Sequence, residues 1–227
     1  LAAHLGPARD TEVMRARLEH IARTEGSQGQ AARWARARAR ALGQEYRTHH
    51  RDAVRAMDTE RYDALLRDLL EVATELTQTA IGGQPAGQEL PGHVSRAYRA
   101  LKHSIDAIER SAAAEADRSI RDERLHEARK KAKRARYAAE ALVPAFGEPA
   151  LELARAIEQV QADLGEHQDT VVLREWLRGE AQGAGAAEAF ALGRWYAGEE
   201  QRGQLAEERF AHSWQVARKK KLRRWLR

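Results

Sequence analysis

Between His126 and Tyr137 the polar and apolar positions of the chain sort by helical angle. At about 100° per residue, His126, Arg129, Lys130, Lys133 and Tyr137 fall on one side of a helix, and Leu125, Ala128, Ala132, Ala135, Ala139 and Leu142 on the other. The spacing predicts a helix over 118–143 with a buried alanine face and a presented cationic face. Small buried residues let a neighbouring helix approach closely, so the cations would sit on a rigid support. The same test over 29–56 sets Arg33, Arg36, Arg40 and Arg47 against Ala35, Ala39, Leu42 and Tyr46. Over 92–115 it sets Arg96, Arg99, His103 and Arg110 against Val94, Leu101, Ile105 and Ile108, with Asp106 interrupting the cationic side.

Helical periodicity also covers 11–25, 59–80, 148–164, 169–181, 185–211 and 213–226, and strand signals are nearly absent. The expected fold class is therefore all-α, with two helical bundles. The clearest break is Gly82-Gly83-Gln84-Pro85-Ala86-Gly87 followed by Pro91-Gly92. It divides the chain into a first half, 1–81, a linker, 82–91, and a second half, 92–227. Pro144 and the Gly147-Glu148-Pro149 turn are expected to stop the basic helix and start the next.

Leu5-Gly6-Pro7-Ala8-Arg9-Asp10-Thr11-Glu12-Val13 recurs as Leu164-Gly165-Glu166-His167-Gln168-Asp169-Thr170-Val171-Val172, which reads as an internal duplication. In each copy the glycine is expected to end one helix in the left-handed conformation and the aspartate to cap the next. The same repeat places the counterpart of the basic helix upstream of Leu1. The first half thus reads as N-terminally incomplete, and the natural protein is expected to carry a further basic helix before it.

Composition sharpens this picture at three points. The 39 Lys and Arg against 34 Asp and Glu give a net charge of only +5, so it is local clustering, at 126–137 and 218–227, that matters. Six Lys or Arg in the first cluster have Glu127 and Glu140 as nearby acids in sequence. Clustered like charge opposes folding, and its retention points to use as a polyanion-binding surface. The absence of cysteine excludes disulfides and thiolate chemistry. No apolar run reaches the roughly 20 residues that span a bilayer, and no membrane association is expected; the lack of cysteine is compatible with a reducing cytoplasm, which is the expected location.

The run Leu125-His126-Glu127-Ala128-Arg129-Lys130-Lys131-Ala132-Lys133-Arg134-Ala135-Arg136-Tyr137-Ala138-Ala139-Glu140, followed by Leu164-Gly165-Glu166-His167-Gln168-Asp169, resembles the signature of the CHAD family, the conserved histidine alpha-helical domains. Leu5 to Asp10 resembles the first repeat's corner, and Phe190 to Gly198 the start of the late helices. The resemblance implies an all-helical, pseudo-twofold domain that binds inorganic polyphosphate through a basic groove or pore between its two bundles. It assigns phosphate contact to His126, Arg129, Lys133, Arg134 and Arg136, and matches Tyr137 and Glu140 to the motif's aromatic and acidic positions. Arg9 occupies the basic position of the first corner, whereas His167 and Gln168 depart from an arginine there. Lys130, Arg36, Arg40 and Arg99 join the candidate set from helical phase alone.

These residue types suit the ligand. Polyphosphate has no bases to read, so recognition rests on charge density, with arginine forming bidentate contacts and lysine a mobile point charge. His126 has two readings, a packing hydrogen bond or direct ligand contact. Tyr137, Trp176, Trp195, Trp214 and Trp225 are read as packing residues, and 218–227 as a helical end that assists binding.

No phosphate-binding glycine loop, triphosphatase strand pattern or recognisable nucleophile triad is present, and the nine histidines lack paired metal-ligand spacing. The expectation is a non-enzymatic module without cofactor or metal. It would target or scaffold a phosphate-processing enzyme or the proteins of a polyphosphate granule. A nucleic-acid-binding module is the nearest alternative, and an accessory domain of a phosphoanhydride-hydrolysing enzyme the other.

Overall fold

The computed structural model describes residues 2–26, 29–75, 82–111 and 117–226. Among them every regular element is helical: α1 (Ala2–Thr24), α2 (Gln30–Met57), α3 (Glu60–Thr74), α4 (Ala86–Ser111), α5 (Arg118–Glu140), α6 (Val143–Phe146), α7 (Glu148–Ala181), α8 (Ala186–Ala217) and a 3-10 helix, Lys220–Leu226. The all-α expectation holds. The expected helical residues 76–80 and 112–115 lie outside the described residues.

Two boundaries differ from the sequence reading for one reason. The expected corners at Gly6 and Gly165 do not exist, because α1 runs through Gly6 and Pro7 and α7 runs through Gly165 without a break. Neither glycine has a positive φ, a feature confined among the described glycines to Gly26 and Gly147. A helical glycine costs only about 1 kcal/mol relative to alanine, which packing along the rest of a long helix outweighs. Asp10 and Asp169 are accordingly mid-helix residues and not caps. Gly147, at φ +61°, is the real stop: it separates α6 from α7 in the conformation that favours glycine.

The remaining differences are local. Helix α4 starts at Ala86 and takes in Pro91, so only part of the expected linker is loop. The chain beyond Ala217 tightens into a 3-10 helix. It is no loose tail, since Leu222 is buried, Trp225 packs on Phe146 with ring centroids 5.0 Å apart, and the Arg223 guanidinium lies 4.2 Å over the Tyr98 ring.

The chain forms two compact units, Leu1–Gln78 with Val172–Gly198, and Thr79–Val171 with Glu199–Arg227. Helices α7 and α8 each contribute to both. The first unit is centred on Met14, Leu18, Ile21, Ala35, Leu42, Leu173, Leu177, Leu192 and Trp195. Its α1–α2 end is tied by Glu25, which accepts from Arg194 at 2.7 Å and from the Trp195 indole at 2.8 Å. The second unit buries Tyr98, Leu101, Ile105, Leu125, Leu153, Ile157, Leu164 and Trp214, with the Tyr98 and Trp214 rings stacked 5.9 Å apart. Trp195 and Trp214 are packing residues, as their sequence context suggested.

Candidate functional site

Helix α5 begins at Asp117, whose carboxylate accepts from the Ser119 amide 2.9 Å away and so caps the first turn. Its apolar stripe behaves as the periodicity predicts: Leu125, Ala128, Ala132, Ala135 and Ala139 are all buried. Helix α4 does the same with Val94, Leu101, Ile105 and Ile108, and α2 with Ala35, Ala39 and Leu42. Burial of these stripes fixes the rotation of each helix, which sets what its other side presents.

The other side of α5 carries Lys130, Lys133, Arg134 and Tyr137 in the open, with His126, Arg129 and Arg136 half-buried at its flanks. Three of these cations have different electrostatic circumstances from the rest. Lys130 is paired with Glu127 one turn back, and the Lys130 ammonium holds the Glu127 carboxyl below its usual range. Arg136 lies 3.3 Å from Glu140 and 3.2 Å from Glu158 of α7, an acid far away in sequence. Arg129 has its Nε buried without a hydrogen bond, and its guanidinium lies over Gly165, where a Cβ would stand 3.4 Å from Nε. No ion pair to Arg129, Lys133 or Arg134 is formed by an acid among the described residues.

Tyr137 is not the packing residue expected of it. Its side is 47% exposed, and the Lys133 ammonium and Arg136 guanidinium lie 5.7 and 4.8 Å from the ring centroid. The reason is angular, since Tyr137 shares the phase of His126 and Lys133 and so turns away from the alanine stripe. A ring flanked by two cations lowers their mutual repulsion through its negative face.

The other candidates lie elsewhere. Arg99 is exposed on α4, in the same unit as α5, and its Nε donates to the Ser95 carbonyl at 3.3 Å. Arg9 and Arg40 are exposed and Arg36 half-buried, on α1 and α2 of the other unit. His126 has a buried Nδ1 without a hydrogen-bond partner, so the packing hydrogen bond proposed as one of its two readings is not made through that atom.

Sequence reasoning missed a second cluster in the same unit. His167 of α7 is 1% exposed, and its Nε2 lies 3.2 Å from Asp122 Oδ1 of α5 and 3.4 Å from Glu207 Oε1 of α8. Burial works against the charged imidazole, but the two facing carboxylates overcome it and hold the His167 pKa above its ordinary value. Burial pushes the Glu207 carboxyl up, and His167 and Arg121 together bring it below the usual range. Arg121 donates to Glu207 Oε2 from Nε at 2.8 Å and Nη2 at 2.6 Å. The three groups are remote in sequence, and only a contact between helices could reveal them.

Among the described residues no helix is long and apolar enough to cross a membrane. Two curated proteins from Mycobacterium tuberculosis, the uncharacterized proteins MT2285 of strain CDC 1551 / Oshkosh and Rv2226 of strain H37Rv, are each 32% identical over 209 residues. The match takes in 91% of this chain but spans only 38% of each of those proteins. PptA from Streptomyces chartreusis has a similar solved structure, with a TM-score of 0.73 at 20% identity over 94% of this chain and 76% of that one, which establishes a shared fold. With the α5 motif in place on an all-helical frame of this kind, and with the CHAD domain model matching residues 1–178, the chain belongs to the CHAD domain family.

Proposed function

We propose that this domain binds inorganic polyphosphate on the exposed face of α5 and acts as a non-catalytic targeting or scaffolding module. The observation that carries this reading is the pairing of a rigid support with uncompensated charge. Five buried apolar residues anchor α5, and Arg129, Lys133 and Arg134 project without an acid partner among the described residues. Arg129 is half-buried and Lys133 and Arg134 are exposed on a helix whose rotation is fixed by its buried face, so an anion that meets them gains charge-assisted hydrogen bonds from a common surface.

His126 and Lys130 extend the same face, and Arg136, held by Glu140 and Glu158, orients its flank. Arg99 on α4, and Arg9, Arg36 and Arg40 on the other unit, add contact points on their own helices. Isolated exposed ion pairs contribute only about 0 to 1 kcal/mol each, so affinity must come from many phosphates bound at once. Longer chains therefore bind better until the face is filled. In this reading the protein is a receptor for polymer at a granule or beside a phosphate-processing enzyme.

Calorimetric titration with long-chain polyphosphate at several salt concentrations tests this. Neutralising about six phosphates gives a slope of log affinity against log salt near −4. Displacement of the polymer by single-stranded RNA at equal phosphate concentration would turn the assignment towards nucleic acid. Phosphate release in the presence of magnesium or manganese would overturn the non-catalytic part.

A further inference from the structure

The last described element presents a second set of cations. Lys220–Leu226 is a 3-10 helix, with about three residues per turn, so side chains three positions apart stack in ridges. Leu222 and Trp225 share the inward ridge: Leu222 is buried, the Trp225 ring packs on Phe146 of α6, and the Trp225 indole donates to the Leu222 carbonyl at 3.0 Å. Lys221 and Arg224 share the next ridge and are exposed, as is Lys220 on the third. Arg223, also on the third ridge, is turned onto Tyr98 of α4 and donates to its hydroxyl. The helical period thus separates the residues that fasten this element to α4 and α6 from those it presents.

From Arg218 to Arg224 every residue except Leu222 is basic. Arg218 meets Glu109 of α4 at 3.9 Å, but no acid among the described residues pairs with Lys220, Lys221 or Arg224. A detached tail could spread such charges apart, whereas docking through Leu222, Arg223 and Trp225 holds them together. Like charges crowded on a fixed element repel one another, and a bound anion relieves that repulsion. One arginine with two lysines suits phosphate oxygens, the first by its planar fork and the others as mobile point charges. The element belongs to the same compact unit as α5, and its contact with Phe146 sets it towards the C-terminal end of that helix. It lies beyond residues 1–178, which carry the family pattern.

We propose that Lys220, Lys221 and Arg224 form a second anion site, separate from the α5 face, which takes another stretch of the same polyphosphate chain and makes the domain bivalent. The inference rests on the polyphosphate reading of α5. Once one stretch of polymer lies on either site, the next stretch meets the other at high effective concentration, so a long chain gains affinity that a short one does not.

The test is calorimetry with long-chain polyphosphate and with tripolyphosphate, on the wild type and on the triple variant Lys220→Ala, Lys221→Ala, Arg224→Ala. The triple variant should lose at least tenfold in affinity for the long chain at low salt, and its slope of log affinity against log salt should become shallower by about 2. Its affinity for tripolyphosphate, which fills one site at a time, should change less than threefold. Lys220→Arg with Lys221→Arg keeps the charge and should keep the long-chain affinity, which separates charge from packing. Wild-type affinity and salt slope in the triple variant would overturn the proposal, and if Lys133→Ala with Arg134→Ala abolished binding in parallel, the α5 reading would stand alone. Equal losses for the two ligands would also overturn it, because they would mean a diffuse field and not a second site. Retention on phosphatidylglycerol vesicles that needed these three residues, with polyphosphate binding unchanged by their loss, would assign the patch to a lipid surface instead. A wild type that bound no polyphosphate would remove both readings.

Discussion

The hydroxyl of Thr170 on α7 occupies the space that a side chain on Gly203 of α8 would need: a Cβ at Gly203 would stand 2.8 Å from Thr170 Oγ1. The same Cβ would lie 3.9 Å from His167 Cδ2, so this close approach of two helices also positions the imidazole. Gly203→Ala should therefore destabilise the protein by about 1 to 3 kcal/mol, the usual range for overpacking. Urea unfolding measures it, and Thr170→Ala in the same chain should recover part of the loss. An unchanged midpoint for Gly203→Ala would mean that α7 and α8 do not meet there.

Gly165 should respond in the opposite way. It is helical, and an added Cβ would meet Arg129 Nε at 3.4 Å, an ordinary contact. Gly165→Ala should be neutral or stabilising by up to about 1 kcal/mol. Were Gly165 a left-handed corner, as the sequence first suggested, the substitution would destabilise, so thermal unfolding of this one variant separates the two geometries.

Arg136 and the pair Lys133 and Arg134 should divide stability from binding. Arg136 is tied to Glu140 and Glu158, and its loss unpairs acids on two helices. Arg136→Ala should lower stability by about 1 kcal/mol while costing less polyphosphate affinity than the Lys133→Ala, Arg134→Ala double variant. The double variant should change stability by less than about 0.5 kcal/mol, weaken binding at low salt and flatten the salt slope. Parallel calorimetry and denaturation of both proteins provide the comparison, and equal binding losses would contradict it.

Acid should weaken the first unit through Glu25. Hydrogen bonds from Arg194 and from the Trp195 indole hold the Glu25 carboxyl below its usual range, against a smaller opposing effect of burial. A carboxyl depressed on folding adds stability above its unfolded value, about 4.3, and loses it as the pH falls through the lower folded value. Arg194 is half-exposed, which reduces the effect, so Glu25→Gln should cost about 1 kcal/mol at pH 7 and less at low pH. Equal losses at pH 7 and at pH 3 would show that the charge of Glu25 is not what matters.

Ala132 lies at the centre of the α5 stripe and is fully buried. Ala132→Leu should force α5 outwards at a cost of about 1 to 3 kcal/mol and weaken polyphosphate binding in step, since the cations ride on that support. Binding that survived a large loss of stability would separate the face from its foundation.

What the chain's own order of residues determined is what depends on helical phase. The buried stripes of α2, α4 and α5 were legible because 3.6-residue periodicity is a local property, and an alanine stripe opposite a cationic one leaves little choice of rotation. The same phase argument places Tyr137 among the cations, although its aromatic type suggested the interior. The rest was decided by contacts between remote segments. Packing along α1 and α7 carried those helices through Gly6 and Gly165, whose local signal was a stop. Glu158 met Arg136, and Asp122, His167 and Glu207 converged from three helices, because tertiary folding alone sets which side chains share a small volume.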